Sequence, residues 1–515
     1  MANDNVKAGH PDPEKSPDAA ADSHGFDLRA LENDYHVEST HDGSEKQAGR
    51  SWALVDKLRT LGVESRGIYP VPLEQRTDPQ FSKSFFVWLS CNFNILSFSE
   101  GTLGTLVYGL TFKQAAGVIV GFNLLAILPP AYFSTFGPKL GLRQMVQARY
   151  SFGWFGAIIP GTLNLLGMTG YNILNAILGG QTLSVVSGGH MSWTVGIVVI
   201  GYVSMYISFF GYRILNWYER LAWFPILIVY LVVLGIGGKH LSHSPTPSAP
   251  ARAVLSYAST VAGFVISYSP LMSDYTNYMR PEVSNWKVFW FSYLGLVVPT
   301  VTVQLIGAAF AAALPSNPGW AAGYDANGPG GLIDAVLSPA GRFGKFLTVL
   351  LGLSVIANMA PTLYSFSISF QVVLPFVARM PRYVFSILGT AVLIPLAIVG
   401  STRFEETLVD FLGIVGYWSA TFVAVILVEH VVFRRRDWGA YDLSAWNLAR
   451  RLPPGIAALG ACICAFGLIV PCMDQVWFVG PVAARTGDIG FEVGFVLSGV
   501  CYLVFRGLER RVFGR

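Results

Sequence analysis

The chain has 515 residues, a formal net charge of +4, 52% hydrophobic residues and only 13% charged ones, with a mean hydropathy of +0.48. An ordinary soluble domain carries about 25% charged residues, so the composition excludes a soluble globular protein and calls for a largely lipid exterior. The mild net charge identifies no partner, and nucleic acid is not among those expected.

Residues 1–83 are polar and contain no apolar h-region, so this stretch is expected to be a cytosolic tail without a cleavable leader. Its first 45 or so residues read as disordered. Trp52, Leu54, Val55, Leu58 and Leu61 share one helical stripe suited to a membrane surface or to docking on the body.

From Phe85 onward, apolar stretches of about 20 residues recur, each long enough to cross a bilayer. Spans are predicted at 84–108, 114–136, 154–186, 193–212, 219–238, 254–279, 286–314, 344–368, 381–400, 407–433, 453–471 and 488–506. Twelve spans put both ends on one side. With the N-terminus inside, the inner connections and C-tail hold eighteen Lys and Arg, including Arg434, Arg435 and Arg436, against seven outside. That asymmetry satisfies the positive-inside rule.

Two spans are interrupted by their own residues. Span 1, NFNILSFSEGTLGTL, sets Asn92, Asn94, Ser97, Ser99, Glu100, Gly101 and Gly104 at membrane depth. Span 6, GFVISYSPLMSDYTNY, does the same with Ser267, Ser269, Pro270, Ser273 and Asp274. Interruptions five helices apart are expected of two five-helix repeats of inverted topology with a midplane site between the broken helices. The half-helix ends then offer unpaired N–H and C=O groups to a polar ligand. In span 8, LTVLLGLSVIANMAPTLYSF, Asn358 and the kinking Pro361 lie at the same depth. The cysteines Cys91, Cys462, Cys464, Cys472 and Cys501 form no CxxC pattern and read as soft packing residues, not disulfides.

The segment GVESRGIYPVPLEQRTDPQFSKSFFVWLSCNFNILSFSEGTLG, RYSFG at Arg149, NILNAILGGQTL around Asn175, SPLMSDYTNY, ANMAPTLYSFS and MDQVWFVGPVA occur in that order. Together they resemble the fungal purine-cytosine permease branch of the nucleobase-cation-symport-1 family, over residues 60 to 510. The resemblance implies an all-α polytopic membrane protein of about twelve transmembrane helices in a five-plus-five inverted repeat, LeuT-like, with helices 1 and 6 broken. Its parts would be a tail (1–83), a ten-helix core (84–433), a cytosolic loop (434–452), two additional helices (453–506) and a cytosolic C-tail (507–515). It also implies import of cytosine and of purines such as adenine, guanine and hypoxanthine with protons, in the plasma membrane. The partners are then a nucleobase, protons and the lipid bilayer, with no cofactor, no metal and no assigned oligomeric state.

Carried over by motif, the substrate site would use Ser97, Asn175, Asn358 and Pro361. A nucleobase is a flat ring with donors and acceptors on its edge, so aromatic faces and amides or hydroxyls suit it. Tyr171 and Tyr268 stand where the family has tryptophans, and Thr362 where it has a second asparagine, so a different flat heterocycle, such as a B6 vitamer, is the alternative substrate. Asn358, Tyr171 and Tyr268 have a second reading as helix-packing groups. Tyr417 and Trp418 in span 10 are assigned to packing between helices.

Candidates for ion coupling are the carboxyls at membrane depth: Glu100 in the broken part of span 1, Asp274 after the break in span 6, and Glu219 in span 5. Glu219 matches a family glutamate linked to transport, and pairing with Arg213 or Arg220 is its structural alternative. Only Ser354 precedes Asn358 as a hydroxyl in 352–357, which favours protons over sodium. No HExxH, GxSxG or clustered histidine argues for an enzyme, and no repeated pore loop argues for a channel. A nucleobase sensor on the same scaffold would share the site.

Overall fold

The computed structural model describes residues 67–188, 190–241, 247–378, 380–401 and 404–514, all within one compact unit of the chain. The striped segment around Trp52, and Arg379, Arg403 and Arg515 of the charge count, lie outside the described residues. Each predicted span is a helix or a pair of helices, with small shifts at the ends. Nine helical stretches among the described residues are long and apolar enough to cross a bilayer. The remaining predicted spans are the broken first one, the polar third (Ile158–Val186) and the 17-residue Ile456–Cys472.

Span 1 is two helices, Ser82–Asn92 and Ile95–Leu106. The break falls at Phe93 and Asn94, and Asn94 caps the second helix by accepting from the Ser97 N–H at 2.8 Å. In span 6 the helix Ala251–Ile266 gives way to a 3-10 run, Ser269–Tyr275, opened by Pro270. Both interruptions fall where the polar residues placed them.

Span 8 differs from expectation. Its break is at Ser354 and Val355, between helices Gly341–Leu353 and Ile356–Val373, and Pro361 lies inside the second helix. Pro361 has no N–H to give the carbonyl four residues back, that of Ala357, and Cys91 Sγ donates to that carbonyl instead, at 3.2 Å. Cys91 is therefore a hydrogen-bond donor between spans 1 and 8 as well as a packing residue.

The connection between spans 7 and 8 carries an element that sequence analysis left unassigned. Pro318–Leu337 is a helical hairpin bent at Asn327 and Gly328, where Gly328 takes φ 57°. The halves meet through glycines: a Cβ on Gly331 would stand 2.0 Å from the Gly323 carbonyl oxygen. Tyr324 of the hairpin donates to Glu405 at the start of span 10.

The second half of span 1 packs on span 7, span 3 on span 8, and spans 11 and 12 on each other, with span 12 also against span 10. A buried ionic cluster ties the last pair to the core. Glu429 accepts from Arg434 at 3.0 Å, Arg506 at 3.1 Å and Tyr502 at 2.9 Å, so Arg434 is a brace of its own loop beyond any role in topology. At the end of the bundle carrying the span 2–3 connection, Ile68, Val71 and Arg76 are buried. Arg76 donates to the carbonyls of Val71, Pro138, Lys139 and Leu140.

Candidate functional site

The break in span 1 leaves carbonyls of Ser82–Asn92 without intrahelical partners, which inside a membrane must be satisfied by other groups. Span 8 supplies one of them: Asn358 Nδ2 donates to the Cys91 carbonyl at 3.0 Å. From span 5, the Tyr230 hydroxyl donates to the Asn94 carbonyl at 2.8 Å. Across the same gap the Ile95 N–H donates to Ser354 Oγ at 3.2 Å, and Ser354 Oγ donates to the Leu351 carbonyl at 2.6 Å. The two breaks brace one another.

Asn358 is the centre of a chain of polar groups. Its Nδ2 also donates to the Tyr268 hydroxyl at 3.0 Å, and that hydroxyl donates to Asn92 Oδ1 at 3.0 Å. Its Oδ1 accepts from Asn175 Nδ2 at 2.9 Å, while Thr362 Oγ1 donates to its carbonyl at 2.7 Å. Predicted residues of spans 3, 6 and 8 are thus joined through side chains, with Asn92 of span 1 completing the chain.

Beside this network lies a cavity of about 350 Å³, counted with the open space at its mouth, lined by Asn164, Gly167, Met168, Tyr171, Ser267, Tyr268, Leu271, Thr362, Val415 and Trp418. Phe264 sets its edge against both tyrosine rings, at 6.1 Å from Tyr171 and 6.4 Å from Tyr268. The Tyr171 hydroxyl donates to the Phe264 carbonyl at 3.2 Å and pairs with Ser267 Oγ at 2.8 Å.

Of the predicted substrate residues, Tyr171, Tyr268 and Thr362 line the cavity. Asn175, Asn358, Pro361 and Ser97 do not, although the first two are bonded directly to its wall. The hydroxyl of Ser97 and Asn175 Oδ1 are enclosed and without a hydrogen-bond partner among the described residues. Trp418, assigned to packing, is part of the wall. Met168, Leu271 and Val415 carried no signal, since apolar residues in apolar helices give none.

None of the three carboxyls is among the residues lining the cavity. Glu100 is one to two turns beyond the break, inside the helix Ile95–Leu106, and not in the broken part as expected. Its Oε2 accepts from Gln304 of span 7, whose Oε1 accepts from Asn123 of span 2 at 2.6 Å. Asp274 is engaged structurally: its Oδ1 accepts the Gln144 N–H at 2.9 Å, and Arg143 donates to its carbonyl at 3.0 Å. Glu219 is fully buried, and neither carboxyl oxygen has a partner among the described residues. Arg220 turns to Gln80, at 2.8 Å, so the alternative ion pair with Arg220 is not formed.

The sequence matches, over residues 70–494, the family of permeases for cytosine/purines, uracil, thiamine and allantoin. It is 35% identical to the purine-cytosine permease fcyB of Emericella nidulans, across 95% of this chain and 99% of that one. It is 34% identical to the purine-cytosine permease FCY2 of Saccharomyces cerevisiae, across 88% of each chain. The vitamin B6 transporter TPN1 of Saccharomyces cerevisiae is 28% identical across 90% of each. Among solved structures, Mhp1, a nucleobase-cation-symport-1 family transporter in a closed conformation with bromovinylhydantoin bound, superposes with a TM-score of 0.69 at 16% identity, over 87% of this chain and 96% of that one. The inward-facing conformation of Mhp1 gives 0.65. That likeness shows the fold, a polytopic all-α membrane architecture.

Proposed function

The chain belongs to the family of permeases for cytosine/purines, uracil, thiamine and allantoin, and from that premise we propose that it imports nucleobases by proton symport with alternating access. The substrates are cytosine and purines such as adenine, guanine and hypoxanthine. Membership makes the chain a permease, not an enzyme. The observation that carries the substrate reading is the cavity between Tyr171 and Tyr268, with Thr362 in its wall and the Asn175–Asn358 amide pair bonded behind it. Ring faces and a polar edge are what a flat heterocycle needs. The names of the relatives that are 34–35% identical agree with that chemistry.

A B6 vitamer is the second reading. It is favoured by tyrosines and Thr362 in place of the family's tryptophans and asparagine, and by a B6 transporter among the relatives. Uptake of labelled cytosine by cells lacking their own permeases, challenged with adenine, hypoxanthine, uracil and pyridoxine, tests both. Competition by pyridoxine alone would replace the nucleobase reading, and a chain that binds but gives no flux would be a sensor.

Protons are assigned as the coupling ion, with Glu219 as the first candidate carrier and Glu100 and Asp274 as the other candidates. Support comes from the lack of hydrogen-bond partners for the Glu219 carboxyl among the described residues and from Ser354, whose hydroxyl is occupied by Ile95 and Leu351 at the place where a sodium ligand would be sought. The charge asymmetry of the connections supports an orientation with both termini cytosolic, and the plasma membrane is the location proposed for an importer.

A further inference from the structure

Trp418 sits midway along span 10, 5% exposed, and its ring is part of the cavity wall. Gly167 of span 3 faces it, where a Cβ would make ordinary contact with Trp418 Cζ2 at 3.8 Å. Phe422 holds the ring from its own helix at 6.2 Å in a T-shaped pair. The indole N–H has no hydrogen-bond partner among the described residues. Unlike the unpaired Nε1 of Trp88, it is not enclosed, and the cavity is the open space its ring borders.

The hydroxyls around it are already committed as donors. Ser267 gives its hydrogen to the Phe264 carbonyl, Tyr171 shares its own between Ser267 Oγ and that carbonyl, Tyr268 gives to Asn92, and Thr362 to the Asn358 carbonyl. They retain lone pairs only. Asn164 gives one amide hydrogen to Ser369, which leaves its second hydrogen and the Trp418 N–H as the donors of the wall. An indole held by packing on both sides is a fixed donor, and a fixed donor discriminates because a ligand without the matching acceptor leaves it unpaired.

Resting on the nucleobase reading above, we propose that Trp418 is a specificity-determining residue whose indole N–H donates to an acceptor on the ligand's edge, a ring nitrogen or an exocyclic oxygen. The test is uptake kinetics in cells without endogenous nucleobase permeases, corrected for surface protein. Wild type and Trp418→Phe are compared on adenine, hypoxanthine and their 1-, 3- and 7-deaza analogues, each of which turns one ring nitrogen into C–H. Trp418→Phe keeps a ring and removes the donor, so KM rises roughly 5- to 150-fold for the natural bases. One deletion in the ligand, of a ring nitrogen or of the oxo group that separates hypoxanthine from adenine, weakens wild type by the same factor and Trp418→Phe no further. Unchanged KM in Trp418→Phe, or losses that simply multiply for every analogue, overturns the proposal. Trp418→His, which keeps an N–H, carries the same cycle if the Phe variant does not reach the surface. Absence of both variants from the surface assigns Trp418 to packing and overturns it too. A wild-type chain that takes up none of the bases overturns the functional reading itself, a result separate from all of these.

Discussion

Asn175 Nδ2 donates to Asn358 Oδ1 at 2.9 Å, tying span 3 to span 8. Backbone groups fix which way both amides face. Asn175 Nδ2 also donates to the Tyr171 carbonyl at 2.8 Å and Asn358 Nδ2 to the Cys91 carbonyl at 3.0 Å, and a carbonyl cannot donate in return. The amide nitrogens therefore hold the helices together, and the amide oxygens are what the pair has left for anything else.

Asn358→Ala removes one partner each from Asn175 Nδ2, the Tyr268 hydroxyl and the broken helix's Cys91 carbonyl at once. Each hydrogen bond lost costs about 0.5–1.5 kcal/mol, so high-affinity uptake should be lost while most protein still reaches the surface. Uptake kinetics on the surface-expressed variant check this. Wild-type kinetics there would remove Asn358 from the site.

The two tyrosines should respond differently to loss of the hydroxyl. Tyr171 bonds only to Ser267 and the Phe264 carbonyl, which also pair with each other at 2.7 Å, so Tyr171→Phe should change KM by no more than a few-fold. Tyr268 bridges Asn92 and Asn358, and Tyr268→Phe should weaken uptake by about 0.5–1.5 kcal/mol, roughly 2- to 13-fold. Alanine at either position should be worse than phenylalanine because the ring face goes as well. Unaltered uptake in both alanine variants would make these residues packing groups.

What could be read in advance was where polarity interrupts apolarity. Asn92, Asn94 and Ser97 marked the break in span 1 because buried amides need a reason, and Pro270 marked the one in span 6. Pro361 announces its own missing N–H, but says nothing of a thiol from another helix that takes over the freed carbonyl. The hairpin 318–337 was hidden by its glycines and prolines, which are turn formers in sequence but here serve a close backbone approach. Trp418 could not be told from packing, since an aromatic in an apolar span looks the same whether its edge faces a helix or a cavity.

The approach of spans 1 and 7 sets a stability test. A Cβ on Gly101 would stand 2.0 Å from the Gln304 carbonyl oxygen, and one on Gly307 would stand 2.1 Å from that of Phe98. Backbone cannot yield as a side chain does, so Gly101→Ala should force the helices apart and lower the melting temperature of the detergent-solubilised protein. Overpacking of this kind costs about 1–3 kcal/mol or more. Gly117→Ala, with open space around the site, should leave melting unchanged. Equal melting of the two variants would refute the contact.

Glu219 and Glu100 separate two ways of holding a carboxyl in a membrane. Glu100 is tied through Gln304 to Asn123, a network that tolerates an amide in its place. Glu219 has no partner for either oxygen among the described residues, although its own carbonyl accepts from Ser90 at 2.5 Å, beside the end of the first half of span 1. An unpaired carboxylate in that setting is far more costly than the neutral acid, so Glu219 is expected to take its proton up with the ligand and release it on the other side. Uptake should then fall as external pH rises and collapse with a protonophore. Glu219→Gln, a permanent mimic of the protonated form, should retain binding and exchange but lose accumulation against a gradient, whereas Glu100→Gln should accumulate more nearly as wild type does. Vesicles with one imposed ion gradient at a time decide the matter. Accumulation driven by sodium at constant pH, with no response to a pH gradient, would end the proton assignment and return attention to Ser354, whose hydroxyl would then have to leave Ile95 and Leu351 to meet the ion.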